Sequence, residues 1–355
     1  MPEPLKLADI KLRMQAYGVK PSKRLGQNFL ADFNLLRAIV ADAEVGPGDC
    51  VLEIGTGAGS LTGLLCDAAG LVISVEVDRG MFELSRDILS GTDNLIQVRC
   101  DALNSDGRGL NPALVDLVAG RIAGATVADD FEVVDHRHTS KLDPNGDSPL
   151  RGLSPALKLV ANLPYSVATS LIIAALESGL PFDRMLVMVQ HEVGEKIAAR
   201  PGDREWGMPA LLRSQFADAR MKRKVPAAVF WPRPKVDSAL VELRPTARPD
   251  MAAYHRLRRL AHVLFQHRRK SAANSLAKAL GVPNSQAAVW ITACGGDPSH
   301  RAEQLDPAVL QRLADHREIE PQVRMAMQEH ESQLSAKADK KARRKAWQSR
   351  VYGDE

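Results

Sequence analysis

The stretch Asn162-Leu163-Pro164-Tyr165 brings together a side-chain amide, a main-chain carbonyl and an aromatic ring at the end of an apolar run, Lys158-Leu-Val-Ala161. The run reads as a strand, and it stops at a polar side chain and a proline that has no N–H to give to a sheet. Pro164 also biases Leu163 towards an extended conformation, which lets the Leu163 carbonyl and the Asn162 side-chain oxygen face one point beyond the strand. Two acceptors side by side suit an amino group. The Tyr165 ring beside them suits a flat heterocycle that carries one, such as adenine or cytosine. A plain turn after a core strand would use the same residues, so the other motifs have to decide.

The second such stretch is a glycine turn. Glu53-Ile-Gly55-Thr-Gly57-Ala-Gly59 places its third glycine one residue earlier than the dinucleotide fingerprint G-x-G-x-x-G requires, and an acidic residue lies inside the preceding strand. This E-x-G-x-G-x-G arrangement resembles motif I of the S-adenosylmethionine-dependent methyltransferases, where glycines let the cofactor approach the backbone. Glu76 ends the next strand about twenty residues on, where a carboxylate can accept from two ribose hydroxyls. Asp101 ends the strand after that and is placed to accept from an adenine amino group.

Taken together, Gln27-Asn-Phe-Leu30, Glu53-Ile-Gly-Thr-Gly57, Val75-Glu76, Asn162-Leu-Pro-Tyr165, Gln190-His-Glu-Val193 and Phe230-Trp-Pro-Arg-Pro-Lys-Val-Asp-Ser238 resemble the KsgA family of small-subunit ribosomal RNA adenine N6,N6-dimethyltransferases. Phe265-Gln-His-Arg-Arg-Lys270 with Asn274-Ser-Leu276 is similar to that family's C-terminal helical domain, so the resemblance spans residues 20–315 with one interruption. It implies S-adenosylmethionine as cofactor, held by Gln27, Asn28, Leu30, Glu53, Gly55, Gly57, Glu76, Asp101 and Asn162. It implies catalysis by Asn162, Leu163, Pro164 and Tyr165, with Phe230 across from Tyr165 stacking on the target base. It also implies a substrate of ribosomal RNA or an immature small subunit, and a role in ribosome biogenesis. The sequence departs from the family pattern at Thr56, His191 and Trp206, where proline, lysine and tyrosine are common.

These residues need a scaffold, and the pattern supplies one. A helix within residues 1–20 and another over Phe33–Ala43 precede a strand at Cys50–Ile54, a helix at Ser60–Ala69, a strand at Leu71–Glu76, a helix at Arg79–Leu89 and a strand at Asn94–Arg99. Strand-helix-strand units at this spacing predict a parallel sheet with right-handed crossovers, here a Rossmann-like class I methyltransferase α/β sheet. After Tyr165 a helix over Val167–Glu177, a strand over Arg184–Val189 and two more helices lead to strands at Lys222–Val225 and Asp237–Leu243. Arg244-Pro-Thr-Ala-Arg-Pro249 reads as a linker, and beyond it only helices are predicted. The expected division is a catalytic domain over 1–245, a small all-helical RNA-binding domain over 250–320 and a basic mobile tail over 331–355.

About sixty residues separate Asp101 from Asn162, more than a connecting loop usually takes. Gly107–Gly124 is expected to add a helix and Thr126–His138 a strand pair. The whole insertion, residues 107–156, reads as a surface excursion that the fold does not need. Asp129, Asp130, Asp135, His136 and His138 lie in it without a cysteine or a helical H-x-x-x-H pair, so a solvated hairpin and no metal site is the expectation.

The formal net charge of the 355 residues is only +4, but its distribution is uneven. Lys222, Arg223 and Lys224, then Arg268, Arg269 and Lys270, then the basic tail suggest an anionic partner. With Lys235 the first two groups are the candidate RNA contacts. Cys50, Cys66, Cys100 and Cys294 are too scattered for a C-x-x-C site and read as reduced residues of a cytoplasmic protein, expected to be a monomer with no membrane segment. Three rival readings remain: a large-subunit RNA methyltransferase of the antibiotic-resistance type, a non-catalytic RNA-binding assembly factor on the same fold, and a nicotinamide dehydrogenase, which the glycine spacing disfavours.

Overall fold

The computed structural model describes residues 7–22, 24–123, 132–136, 155–267, 269–329 and 332. The chain forms two compact units, residues 1–199 with 216–247, and residues 200–215 with 248–355.

The described residues of the first unit form ten strands: β1 (Phe29–Leu30), β2 (Cys50–Ile54), β3 (Leu71–Glu76), β4 (Leu95–Arg99), β5 (Glu132–Asp135), β6 (Leu157–Asn162), β7 (Phe182–Gln190), β8 (Ala217–Val225), β9 (Phe230–Trp231) and β10 (Ser238–Pro245). Eight of them make one sheet in the order β5-β4-β3-β2-β6-β7-β10-β8. The central five are parallel, whereas β5, β10 and β8 pair antiparallel. The run CVLEI of β2 and the run LVISVE of β3 are buried along their whole length, as strands must be when helices cover both faces. The edge strand β8 instead carries Arg220, Lys222, Arg223 and Lys224, charges that discourage pairing with another chain.

Order along the sheet reverses between β2 and β6, because β3 and β4 extend to one side and β6 and β7 to the other. Doubly wound sheets hold their ligands outside the carboxyl ends of the strands at this reversal. Gly55 follows β2 there, and Asn162 ends β6.

The helices of this unit are α1 (Leu7–Ala16), α2 (Phe33–Asp42), α3 (Ser60–Ala68), α4 (Arg79–Ile88), α5 (Pro112–Ile122), α6 (Ala168–Glu177) and α7 (His191–Ala198). Asp32 caps α2 by accepting from Leu35 N, and Asp78 caps α4 by accepting from Met81 N, each at 3.0 Å. Ile10 and Met14 of α1 pack in a cluster with Met81 and Leu84 of α4 and with Phe29. That contact anchors residues 18–22 and 24–30, a strap that runs from α1 across the glycine turn, and Lys11 adds a cation–π contact 4.8 Å from the Trp231 ring.

The insertion is more than a surface excursion, which corrects the reading from sequence. Helix α5 buries Leu114, Leu117 and Val118, and β5 extends the main sheet by pairing with β4 from Ile96 to Arg99. Its described part holds one strand; the remainder of the expected strand pair, with His138 and Asp129 and Asp130, falls outside the described residues. His136, 3% exposed, fastens the strand. Gln97 Nε2 donates to Ser85 Oγ at 3.0 Å, which leaves Gln97 Oε1 to accept from His136 Nε2 at 2.8 Å. Burial holds the His136 imidazole below its ordinary pKa, so it is a neutral structural group. Among the described residues no group of His, Cys, Asp and Glu is arranged to hold a metal ion. Exchanging residues 107–136 for a short linker is expected to lower the urea midpoint sharply, because each buried leucine alone contributes about 1.5–3 kcal/mol. An unchanged midpoint would restore the surface-excursion reading.

The second unit is helical: α8 (Met208–Ser214), α9 (Met251–Phe265), α10 (Ala272–Leu280), α11 (Asn284–Ala293) and α12 (Pro307–Ala314). Asp250, Ser271 and Asp306 cap α9, α10 and α12. Residues 200–215, read from sequence as part of 1–245, group here because α8 turns Ala210, Leu211 and Leu212 inward and packs on α9. The basic tail, Ser332 apart, lies outside the described residues. No helix among the described residues is long and apolar enough to cross a membrane.

Candidate active site

A cavity of about 240 Å³ opens at the sheet's reversal point. Its walls come from the strap (Gln27, Asn28, Leu30), the glycine turn (Gly55, Gly57), the ends of β3 and β4 (Glu76, Asp101) and the end of β6 (Asn162 to Tyr165). Five separate stretches singled out in the sequence therefore meet in one place.

The glycine turn is shaped for close approach. Gly57 has φ 54°, a left-handed conformation that favours glycine, and a Cβ there would crowd the Phe29 ring at 3.3 Å. Gly57 N donates to Glu76 Oε2 and Asp78 N to Glu76 Oε1, both at 2.9 Å. The Glu76 carboxylate is thereby fixed at the rim with lone pairs to spare. Burial raises its pKa while those backbone N–H groups pull the other way. Beyond β4, Asp101 Oδ1 accepts from Leu103 N at 3.0 Å, which orients the carboxylate and leaves Oδ2 open. Deeper in the wall, Glu53 is 1% exposed and takes hydrogen bonds from Thr62 and Ser74.

At the facing wall, Asn162 Nδ2 donates to the Asn28 carbonyl at 3.0 Å. The reverse orientation would set two oxygens against each other, so the amide is locked with Oδ1 as the free acceptor. Leu163 N donates to Met188 O at 3.0 Å and Val167 N to Pro164 O at 3.1 Å, which hold the turn. Tyr165 lines the cavity and its hydroxyl is hydrogen-bonded to Ser238 Oγ at 2.5 Å. From sequence alone Tyr165→Phe is expected to be nearly silent. The bond to fully buried Ser238 changes that for stability: Tyr165→Phe should lose about 1 kcal/mol, read as a lowered melting temperature, with the ring and the activity retained. A phenylalanine variant as stable as the parent would show that the bond contributes nothing.

Phe230 stands apart from this wall. It is 4% exposed, pairs with Leu30 in the β1–β9 ladder, and belongs to a buried cluster with Leu36, Val225 and Leu240. Gln27 lines the cavity, but its Oε1 accepts from Ser22 N at 2.8 Å and closes the turn of residues 22–27. The candidate RNA contacts also divide. Arg223 is paired with Asp42 at 2.7 Å and Lys224 with Asp237 at 3.1 Å, Lys222 is half-buried, and Lys235, Arg269 and Lys270 are exposed. Arg268 lies outside the described residues.

Several participants escaped the reading from sequence. Arg24 and Leu25 of the strap and Cys100 line the cavity, and Ser74 and Thr62 hold Glu53. Ser74 had left a trace, a hydroxyl inside the otherwise apolar run of β3. All four cysteines are free thiols; Cys50 and Cys66 are buried, and burial pushes the Cys50 thiol up to about 12.

A doubly wound sheet, a cavity at its reversal point, a glycine turn of this spacing and carboxylates at the next two strand ends define a Rossmann-like class I methyltransferase. The chain belongs to the ribosomal RNA adenine dimethylase family, whose model matches residues 18–293. It is similar to ribosomal RNA small subunit methyltransferase A of Moorella thermoacetica, at 36% identity over 293 residues, covering 81% of this chain and 89% of that one. The protein of the same name from Streptomyces coelicolor is 34% identical over 314 residues, 87% of this chain and 96% of its own. Among solved structures, a dimethyladenosine transferase from Plasmodium falciparum has a TM-score of 0.56 at 21% identity, covering 81% of this chain and 96% of that one. The 23S rRNA methyltransferase ErmE has a TM-score of 0.51 at 23% identity, covering 81% and 98%. Both are likenesses of fold.

Proposed function

We infer that the protein transfers methyl groups from S-adenosylmethionine to N6 of adenosines in small-subunit ribosomal RNA, two per adenosine. The observation that carries this reading is the single cavity shared by the Gly55–Glu76–Asp101 wall and by Asn162–Tyr165, with the Asn162 amide already turned by Asn28.

The residues fit the cofactor. Gly57 keeps the turn bare of a side chain, Glu76 offers two oriented oxygens for a diol, and Asp101 keeps one oxygen for an amino group. S-adenosylmethionine supplies an electrophilic methyl group on a sulfonium. Everything else falls to the protein. The N6 lone pair of adenine is delocalised into the ring, so the nitrogen is a poor nucleophile until its hydrogens are held. Asn162 Oδ1 and the Leu163 carbonyl accept them and favour a pyramidal nitrogen with its lone pair directed outwards, an arrangement needed only in the transition state. The proton that becomes acidic after transfer leaves to water. Tyr165 offers its face to a base withdrawn from its RNA stack. Phe230 supports the strap through its pairing with Leu30, and stacking on the base from that side would require β9 to open.

Lys235, Arg269 and Lys270 are the exposed cations for RNA phosphates, and Lys222 is a partial one. Cations already paired with Asp42 and Asp237 contribute less, because binding would first break those pairs. We place the substrate at the assembling small subunit, in the cytoplasm, with the protein acting as a monomer. Mass mapping of ribosomal RNA from a deletion strain tests the reading: loss of dimethyladenosine from small-subunit RNA is expected, and loss from large-subunit RNA instead would favour the resistance-type alternative.

A further inference from the structure

Beneath the glycine turn, two hydroxyls converge on one oxygen of Glu53 and a third backs one of them. Ser74 Oγ and Thr62 Oγ1 each donate to Glu53 Oε2 at 2.6 Å, and Thr56 Oγ1 lies 2.6 Å from Ser74 Oγ. Because Ser74 spends its proton on Glu53, Thr56 must donate to Ser74. The other oxygen, Oε1, is buried and has no hydrogen-bond partner. Glu53 nevertheless belongs to the cavity wall.

A buried carboxylate with one bare oxygen is a poor resting state, and a proton on Oε1 removes the charge. The surroundings favour that proton. The Glu76 carboxylate of β3 and the Cys66 thiol of α3 are the titratable groups that interact with it, neither a cation, and Lys158 of β6, on the other side of β2, is bound instead to Asp49 and the Glu44 carbonyl. Arg24 of the strap and Asp101 beyond β4 line the same cavity, and neither bonds to Glu53. Burial carries the Glu53 carboxyl up to about 8, while Ser74 and Thr62 pull it the other way.

We propose that Glu53 is the proton-exchanging group of the cofactor site: it keeps its proton while the cavity holds no ligand of net positive charge and gives it to solvent when one binds. This rests on the cofactor reading above. S-adenosylmethionine carries one positive charge more than S-adenosylhomocysteine, which lacks only the sulfonium methyl. An ionised Glu53 therefore selects the donor over the spent product, and recovering its proton eases product release. The sign follows from linkage. At pH values below the Glu53 pKa, binding the cation requires loss of a proton, so donor affinity rises by up to about tenfold per pH unit and then levels off. The product, without that charge, has a flatter profile.

Titration calorimetry of the full-length protein in phosphate and in Tris, whose ionisation heats differ, counts the protons. The parent should release about one proton per S-adenosylmethionine bound and clearly less with S-adenosylhomocysteine. Glu53→Gln, uncharged at every pH and of the same shape, should release none with either. Equal release in Glu53→Gln and parent, or none in the parent, would overturn the proposal and leave the cofactor assignment intact. Failure of the parent to bind S-adenosylmethionine in any buffer would overturn both. Should the glutamine variant not fold, the two ligands compared on the parent decide, since parallel pH profiles exclude a charge-sensing Glu53.

Discussion

Asn162→Ala is expected to slow single-turnover methyl transfer by on the order of 10²-fold or more, the loss that follows removal of one preorganised polar group at a reacting centre. Its affinity for RNA should barely change, because phosphate contacts elsewhere supply most of that. The variant also gives up the bond to the Asn28 carbonyl, so a comparison is meaningful only between proteins matched for melting temperature. If the four-residue stretch were merely a turn, stability and activity would fall together. An Asn162→Ala protein that folds, binds cofactor and RNA, and methylates at the parent rate would remove Asn162 from the mechanism.

Glu76→Ala should have the largest effect on cofactor binding. Two charge-assisted hydrogen bonds of about 1.5–3 kcal/mol each are at stake, which corresponds to roughly 10²- to 10⁴-fold in Kd. Part of that loss has another source. Gly57 N and Asp78 N lose their acceptor as well, so the turn itself slackens. Glu76→Gln separates the two contributions, since an amide oxygen still accepts one of these N–H groups while the charge is gone. Calorimetry that finds unchanged affinity in a folded Glu76→Ala protein would take the residue out of the site.

The central sheet was legible because its signal is strong: continuous apolar runs, each ended by a polar residue, at regular spacing. The same strand ends pointed to Gly55, Glu76, Asp101 and Asn162, which line one cavity, since a polar side chain directly after a buried strand has few structural uses. The strap was legible as Gln27-Asn-Phe-Leu30 only through resemblance, because nothing local shows that a loop will fold over a distant turn. The locking of Asn162 by a main-chain carbonyl is invisible in principle, since every residue carries one. The insertion misled for a related reason. Polar, glycine-rich ends suggested a surface excursion, but three apolar residues at helical spacing in α5 and one histidine opposite a buried glutamine were enough to tie it into the fold. Residues 200–215 were misassigned because grouping of this kind depends on what packs against Ala210–Leu212 and not on position along the chain.

The direction of β5 has a consequence for how this protein can change. Glu132 pairs with Arg99, near the carboxyl end of β4, and Asp135 with Ile96, so the strand heads away from the rim that bears Glu76 and Asp101. Leu157, where β6 begins, pairs with Cys50 at that same far rim. The connection from β5 to β6 thus starts and finishes on the side of the sheet remote from methyl transfer, separated from it by the length of a five-residue strand, roughly 15 Å. A change of length between Asp135 and Leu157 therefore joins the sheet at two strand ends that lie opposite the rim carrying Asn162.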